Sequence, residues 1–578
     1  MTDDAGAPKL RSLVREMFRL RLDRSAARVT VVACCFGALF TVIGGRLVKL
    51  GFAPEQAQFR SEATSMISAA RPDILDRNGE VLATDVRTVS VFAEPRRIVD
   101  KDEAVELLTA VLPDLDAKDL RAKMNKRRGF IWVKREITPR QQAEVFRLGI
   151  PGLGFLPENK RVYPNGPAAA HVLGFANIDN QGIAGIEKYI DGQGLQDLNG
   201  AGFAPQAADL KPVQLSLDLR VQHIMRDELL KAMERFRAKA AAGAIMDVTT
   251  GEIISLVSLP DYDPNNPVDA LDKDRINRIN VGVYEMGSTF KALTTAMALD
   301  SGRFTINSSL DARGALRSGR FSIGDYHAQN RVLTVPEVFI HSSNIGTAKM
   351  ALGLGVEYHK GFLRKMGQLE RLVTELPENA APLVPARWGE LNTITIAFGH
   401  GIAVAPLQAL MAVGSLVNGG VLYPPTFIRR TEAEAQAVGR RVLKPETSEG
   451  LRYVLRLNAV HPNGSASGAA IAGFFVGGKT GTAEKVIAGR YSKTKNLTTF
   501  TAVYPMDKPR YVFVTILDEP QAAEGTYGFS TAGWNASPTT GNIIQRVAPL
   551  LSVPPRFDPL PMAAAFPLMT RLNAWGTR

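Results

Sequence analysis

Residues 29–45 read VTVVACCFGALFTVIGG, seventeen residues without a charge. A bilayer span needs about 20 residues, with a lower limit near 17. Arg28 and Arg46 flank the stretch, and their long side chains can extend its usable length by reaching toward the headgroups. Lys9, Arg11, Arg15, Arg19, Arg21, Arg24 and Arg28 precede it, whereas only Arg46, Lys49 and Arg60 follow closely. That bias orients a span with residues 1–28 in the cytoplasm and residues 46–578 outside. A cleaved signal peptide would show a shorter basic region and a small-x-small cleavage site. Neither is seen, so the segment is read as an uncleaved anchor. Every later feature must then work outside the cytoplasm.

The chain has 578 residues, enough for about three to five units. Its net charge of +12, from 69 basic and 57 acidic residues, is too modest to imply a nucleic-acid binder. The only cysteines, Cys34 and Cys35, fall inside the anchor. A cysteine-rich zinc site, a disulfide scaffold and a cysteine nucleophile outside the membrane are therefore excluded. Residues 71–84 read as strand, Asn78-Gly79 turn and strand. Residues 101–127 have a helical pattern, Phe130–Lys134 a short strand, and 157–187 much loop. A strand at 213–218 leads into a helix from Asp218 to about Ala240, and 243–258 is two strands around Thr250-Gly251. Helices dominate to about residue 420, the charge-free stretch Leu391–Ile428 being a buried loop, helix and turn. Three strand-like runs follow: FFVGGKTGTAEK, LTTFTAVYP and RYVFVTILDE. Strands at both ends with helices between predict one large α/β domain whose sheet joins distant segments.

Three motifs carry candidate chemistry. Ser288-Thr289-Phe290-Lys291 opens the helical run FKALTTAMALD, which Gly302 ends, so Lys291 lies one turn from Ser288 and beside its hydroxyl. A serine needs a base within hydrogen-bond reach, and a lysine serves once burial and a nearby cation lower its pKa. Ser342-Ser343-Asn344 sits between helices, where Ser342 can relay a proton and the Asn344 amide can grip a peptide bond. Lys479-Thr480-Gly481-Thr482 lies in a strand. There a lysine and two hydroxyls can hold a carboxylate, and Gly481 allows close backbone approach. Residues 473–480 also fit the phosphate-loop pattern G-x-x-x-x-G-K-[ST]. Such a loop must open into a helix, and Gly481 with β-branched Thr482 argues against one. No histidine pair has metal-binding spacing, and no G-x-S-x-G elbow is present. His400, in Gly399-His400-Gly401, is read as a hydrogen-bonded core residue.

Together the motifs run S-x-x-K, S-x-N and K-T-G, 54 and then 137 residues apart. This order resembles the penicillin-binding, active-site-serine transpeptidases. The surroundings agree: Tyr284-Glu285-Met286-Gly287, Thr250-Gly251-Glu252 and the run Pro260 to Asn265. So do Arg71, Ile74 to Gly79, Arg161 to Pro164, Gly182 and Gly185 to Glu187, which look like the class B pedestal. Residues 46–210 show no class A glycosyltransferase domain. Asn344 with Ile345-Gly346 and Ala348-Lys349 resembles the division-specific, FtsI-type branch, since elongation-type relatives more often carry Asp at the third motif position. Met286 departs from the Pro that relatives often have, without touching a catalytic role.

The resemblance implies five segments: a cytoplasmic N-terminus 1–28, an anchor 29–45, a mixed α/β pedestal 46–210 of the dimerisation type, a transpeptidase domain 211–550 with an antiparallel sheet between helices, and a tail 551–578. It implies attack by Ser288 on the penultimate D-Ala of a peptidoglycan stem pentapeptide and proton acceptance by Lys291. It further implies an oxyanion hole from the Ser288 and Thr482 N–H groups, and protonation of the departing D-Ala through Ser342. Asn344 would hold the donor's amide, and Lys479, Thr480 and Thr482 its terminal carboxylate, with Gly481 between them. No cofactor or metal is implied. Implied partners are β-lactams, a SEDS-type glycosyltransferase and other divisome proteins, and the implied location is the inner membrane with a periplasmic catalytic domain. Two alternatives stand beside it: an elongation-type class B enzyme, and an anchored serine β-lactamase or carboxypeptidase, for which so large a pedestal is unexpected. A sensor would need more cytoplasmic chain than residues 1–28, and a scaffold would tolerate loss of Ser288. The Pro- and Ala-rich tail is expected to be poorly ordered.

Overall fold

The computed structural model describes residues 29–49, 70–126, 129–195, 210–487, 489–558 and 562–567. The basic N-terminal segment, residues 1–28, and the end of the tail lie outside the described residues. Helix Val29–Lys49 is long and apolar enough to cross a membrane, and among the described residues it alone is both. It runs four residues past the charge-free stretch, and its side chains, Cys34 and Cys35 included, are exposed. The described residues from 70 onward fall in two compact units, one holding Val89–Pro157, the other residues 70–88 and those described from Glu158 to residue 567.

In the first unit, strand Ile131–Ile137 pairs antiparallel with Val89–Ala93. The helical run expected over 101–127 is two helices, Lys101–Val111 and Ala117–Asn125, separated by Pro113. Asp100 and Asp116 cap them by accepting backbone N–H groups. Val91, Ala93, Ile131 and Val133 meet Val105, Leu108, Leu120 and Met124 in a small core.

The second unit is built on a five-stranded antiparallel sheet. Its order is Gly477–Ile487, Arg490–Tyr504, Tyr511–Asp518, Ala240–Asp247, Ile253–Leu259. The chain therefore closes on itself, with the C-terminal strands pairing to strands more than 200 residues earlier. Strand side chains alternate between two cores. Ala242, Ala244, Met246, Val512 and Val514 face one core with helix Pro406–Val417. Ala241, Ile245, Ile254 and Phe513 face the other with helices Leu219–Arg235 and Ala536–Val547. Both faces are covered, which is why the central strands are apolar without a polar alternation. The helix expected to reach Ala240 ends at Arg235, because Ala240 pairs with Asp518 at the start of the sheet.

The pedestal motif residues within this unit form a buried ion network. Arg71 donates to Glu187 at 2.7 Å and Asp191 at 2.6 Å, and Arg161 to Glu187 at 2.6 Å and Asp85 at 3.1 Å. Asp76 accepts from the backbone N–H of Asn78, Glu80 and Leu219, pinning the Asn78-Gly79 turn beside strand Val213–Gln214. The tail corrects the expectation of poor order where it is described. Arg556 N–H donates to Gly473 O at 2.7 Å, and Phe566 is fully buried against Tyr453, Phe475 and Arg452.

Candidate active site

Ser288 lies in a 3₁₀ turn, Gly287–Phe290, that runs directly into helix Lys291–Asp300. Gly287 has φ +53°, and the turn is backed by Gly399, where a Cβ would stand 2.1 Å from Gly287 O. Only glycine at 399 lets the two backbones touch. Ser288 is half-buried, while Lys291 is 1% exposed and Lys479 fully buried.

Ser342 terminates helix Val335–Ile340. Its N–H donates to Phe339 O at 3.2 Å, and that of Ser343 to Val338 O at 2.9 Å. This is a Schellman ending, whose left-handed position is usually glycine. Ser342 takes that position with φ +55°. In this conformation its hydroxyl reaches Ser288, Lys291 and Lys479. Ser343 then caps helix Asn344–Leu354 through Gly346 N–H.

Three of the expected side chains meet at the Ser342 hydroxyl. Ser342 Oγ lies 3.1 Å from Ser288 Oγ, 2.9 Å from Lys291 Nζ and 3.2 Å from Lys479 Nζ. Lys291 Nζ also donates to Ser342 O. No hydrogen bond joins Lys291 to Ser288 directly among the described residues. Both are joined instead through Ser342, whose hydroxyl bonds to each. Lys479 Nζ further donates to Ser465 Oγ at 3.3 Å and Thr480 O at 3.2 Å. Burial, and next the Lys479 charge, hold Lys291 well below the usual lysine range, against a smaller opposing pull from Asp325. Burial brings Lys479 down to about 7. Burial thus pushes both amines toward the neutral form, and Lys291 is pushed further by its charged neighbour.

Lys479 to Thr482 lie on the edge strand of the sheet, in register with Thr501 to Thr498. A strand at Lys479-Thr480 is incompatible with a phosphate loop, which opens a helix there. A Cβ at Gly481 would meet Met286 O at 2.5 Å, so the strand lies against the turn carrying Ser288. Thr482 Oγ1 accepts from Ala532 N–H at 3.2 Å, which leaves its own O–H free to donate. Asn344 Nδ2 donates to Gly324 O at 3.1 Å. His400 is half-buried with its ring against Phe398 and Tyr491. Its N–H donates to Thr395 O, but its Nδ1 has no partner, so the hydrogen-bonded reading holds for the backbone alone.

Two supporting residues, Asp325 and Asn458, lie outside the motifs and their surroundings, and a third, Glu285, belongs to the surroundings alone. Asp325 accepts from Ser343 Oγ at 2.6 Å and from Ile345 N–H at 3.0 Å, anchoring the Ser-Ser-Asn turn. Asn458, fully buried, donates to Gly478 O at 2.8 Å. Glu285 accepts from Gly401 N–H at 2.8 Å and from Tyr491 O–H at 3.0 Å. Among the described residues no group of three or more His, Cys, Asp or Glu side chains is placed to hold a metal ion.

Similarities to known proteins fall on these same segments. Residues 241–536 match the penicillin-binding protein transpeptidase domain and residues 66–195 the penicillin-binding protein dimerisation domain. The chain is 40% identical over 495 residues to the probable peptidoglycan D,D-transpeptidase FtsI of Caulobacter vibrioides, covering 84% of this chain and 82% of that protein. It is 29% identical over 527 residues to the peptidoglycan D,D-transpeptidase FtsI of Escherichia coli K12, covering 87% of each. The fold is similar to that of penicillin-binding protein 3 from Mycobacterium tuberculosis, solved with aztreonam. The TM-score is 0.65 at 23% identity, over 85% of this chain and 98% of that one.

Proposed function

The chain belongs to the class B penicillin-binding proteins of the FtsI type, the peptidoglycan D,D-transpeptidases, and from that premise we propose that it cross-links septal stem peptides through an acyl-enzyme on Ser288. The observation that carries the serine mechanism is the convergence of Ser288, Lys291 and Lys479 on the Ser342 hydroxyl.

Ser288 Oγ attacks the carbonyl carbon of the penultimate D-Ala. Its proton passes to Ser342 as the Ser342 proton passes to Lys291, which supplies the base. The N–H groups of Ser288 and Thr482 stabilise the developing oxyanion. The nearness of the Thr482 backbone to Gly287 supports that pairing. As the peptide bond breaks, the leaving amine of the terminal D-Ala takes a proton back through Ser342. An amine from a neighbouring stem peptide then attacks the ester, gives its proton to the same relay and restores Ser288. Lys479, Thr480 and Thr482 receive the terminal carboxylate, and Asn344 the donor's amide. A β-lactam enters the first half of this sequence and stays as a slowly hydrolysed ester.

Segments 46–210 and 211–550 act as pedestal and transpeptidase. The apolar helix Val29–Lys49 anchors the chain in the inner membrane with the catalytic unit in the periplasm. A SEDS-type glycosyltransferase and other divisome proteins supply glycan and placement. The test is covalent labelling of the detergent-solubilised full chain with a fluorescent penicillin. Wild type should label and Ser288→Ala should not. An unlabelled wild type, or a fully labelled Ser288→Ala, refutes the mechanism. Filaments with blocked septa in depleted cells fit the septal role, and round cells contradict it.

A further inference from the structure

An ammonium group has three N–H donors. Lys479 Nζ has three oxygen partners: Ser342 Oγ at 3.2 Å, Ser465 Oγ at 3.3 Å and Thr480 O at 3.2 Å. Lys291 Nζ has two, both from Ser342. Lys479 thus has one more oxygen partner than Lys291, and Ser465 is among them.

Ser465 lies in the turn after helix Pro445–Val460, outside all three motifs. Asn458, near the end of that helix, fixes it twice. Asn458 Oδ1 accepts from Ser465 N–H at 3.1 Å, and Asn458 Nδ2 donates to Ser465 Oγ at 3.3 Å. The same Nδ2 donates to Gly478 O, the residue before Lys479. One buried amide therefore ties the Ser465 turn to the strand that carries the lysine.

We infer that Ser465 is a positioning residue of the transpeptidation site: its hydroxyl supplies the third oxygen around the Lys479 ammonium and holds that charge beside Ser342. The inference rests on the role given to Lys479 above. With all three donors engaged, Lys479 acts on a substrate carboxylate through its field, while the threonine hydroxyls make the direct contacts.

Other groups surround Lys479. Lys291 faces it from the nucleophile helix, with Asp325 acting on Lys291. The Phe339 ring lies 5.8 Å away, and Thr501 Oγ1 donates to Lys479 O from the neighbouring strand. His341 and His461 face each other at 6.3 Å, next to Ser342 and at the start of the Ser465 turn. All are retained in the variants below, so their contributions cancel.

The experiment measures the acylation rate of the full chain by fluorescent penicillin from about pH 6 to about pH 10. Ser465→Ala removes the hydroxyl and keeps the backbone bond to Asn458. Losing an acceptor disfavours the charged amine, so the alkaline limb should move down by about one pH unit. Ser465→Thr should restore the wild-type limb. Ser465→Cys, with a weak acceptor of similar size, should follow Ser465→Ala and serves if the alanine variant folds poorly. A limb unmoved in both Ser465→Ala and Ser465→Cys overturns the inference, as does failure of Ser465→Thr to restore it. Ser288→Ala is the control: if it labels, or wild type does not, the underlying serine reading has failed instead.

Discussion

Ser342 occupies a backbone conformation that glycine adopts freely, at φ +55°. A non-glycine residue there costs about 1–3 kcal/mol. A glycine would relieve this but would add about 0.4–1 kcal/mol of unfolded-chain entropy. The net gain of Ser342→Gly over Ser342→Ala is therefore about 1 kcal/mol. Both lack the hydroxyl, so their difference isolates the backbone term. For a unit this large the gain corresponds to about 1–2 °C in melting temperature. Both variants should lose at least about a hundredfold in acylation rate, because the proposed proton route from Ser288 to Lys291 uses that hydroxyl, which bonds to both. Thermal melts of the full chain in detergent, paired with penicillin labelling rates, read both quantities. A glycine variant melting no higher than the alanine variant would show that the bend stores no strain. Near-wild-type acylation in either would refute the relay.

Four further outcomes follow from the same geometry. Gly399→Ala drives a Cβ to within 2.1 Å of Gly287 O, so labelling should slow at least about tenfold as the nucleophile turn shifts; an unchanged rate would mean the turn is not held from behind. Asp325→Asn removes a charge that pulls the Lys291 pKa upward, so the acid limb of acylation should move to lower pH. Lys479→Met removes a positive neighbour that pushes it down, so the limb of its residual acylation should move to higher pH, and two shifts of like sign would contradict the pairing. His359 is buried with neither ring nitrogen bonded, and burial lowers its pKa from 6.5 to about 4. The unfolded chain then binds a proton that the native state refuses, so wild type should lose about 3 kcal/mol between those pH values, and His359→Phe, with its ring still against Trp388, should not. Melts at neutral pH and at about pH 4 compare the two, and parallel losses would reject this assignment.

Much of the architecture was legible in the chain because its signals are local. Apolar runs bounded by turns marked all five sheet strands, and their separation along the chain implied a sheet closed by distant segments. The motif lysines and serines were legible because catalysis needs those residue types at fixed spacing. What escaped depends on contacts between distant residues. The stop of helix Leu219–Arg235 follows from Ala240 pairing with Asp518, which overrides helical preference. The burial of Phe566 needs the Tyr453 and Phe475 rings, more than 90 residues away. The bonding of the Ser342 hydroxyl to both Ser288 and Lys291 depends on a bend with one positive φ angle that no side-chain pattern announces. Asp325, Asn458 and Ser465 are single polar residues whose worth lies in what they touch, so periodicity and motif spacing pass over them.

The proposed mechanism puts the acyl group on Ser288. The most direct measurement is peptide mapping by mass spectrometry of the full chain after reaction with a penicillin. One penicilloyl group should be found on the peptide containing Ser288, and it should be absent from the Ser288→Ala chain. An adduct on Ser342 or any other residue, or none in the wild-type chain, would contradict the account.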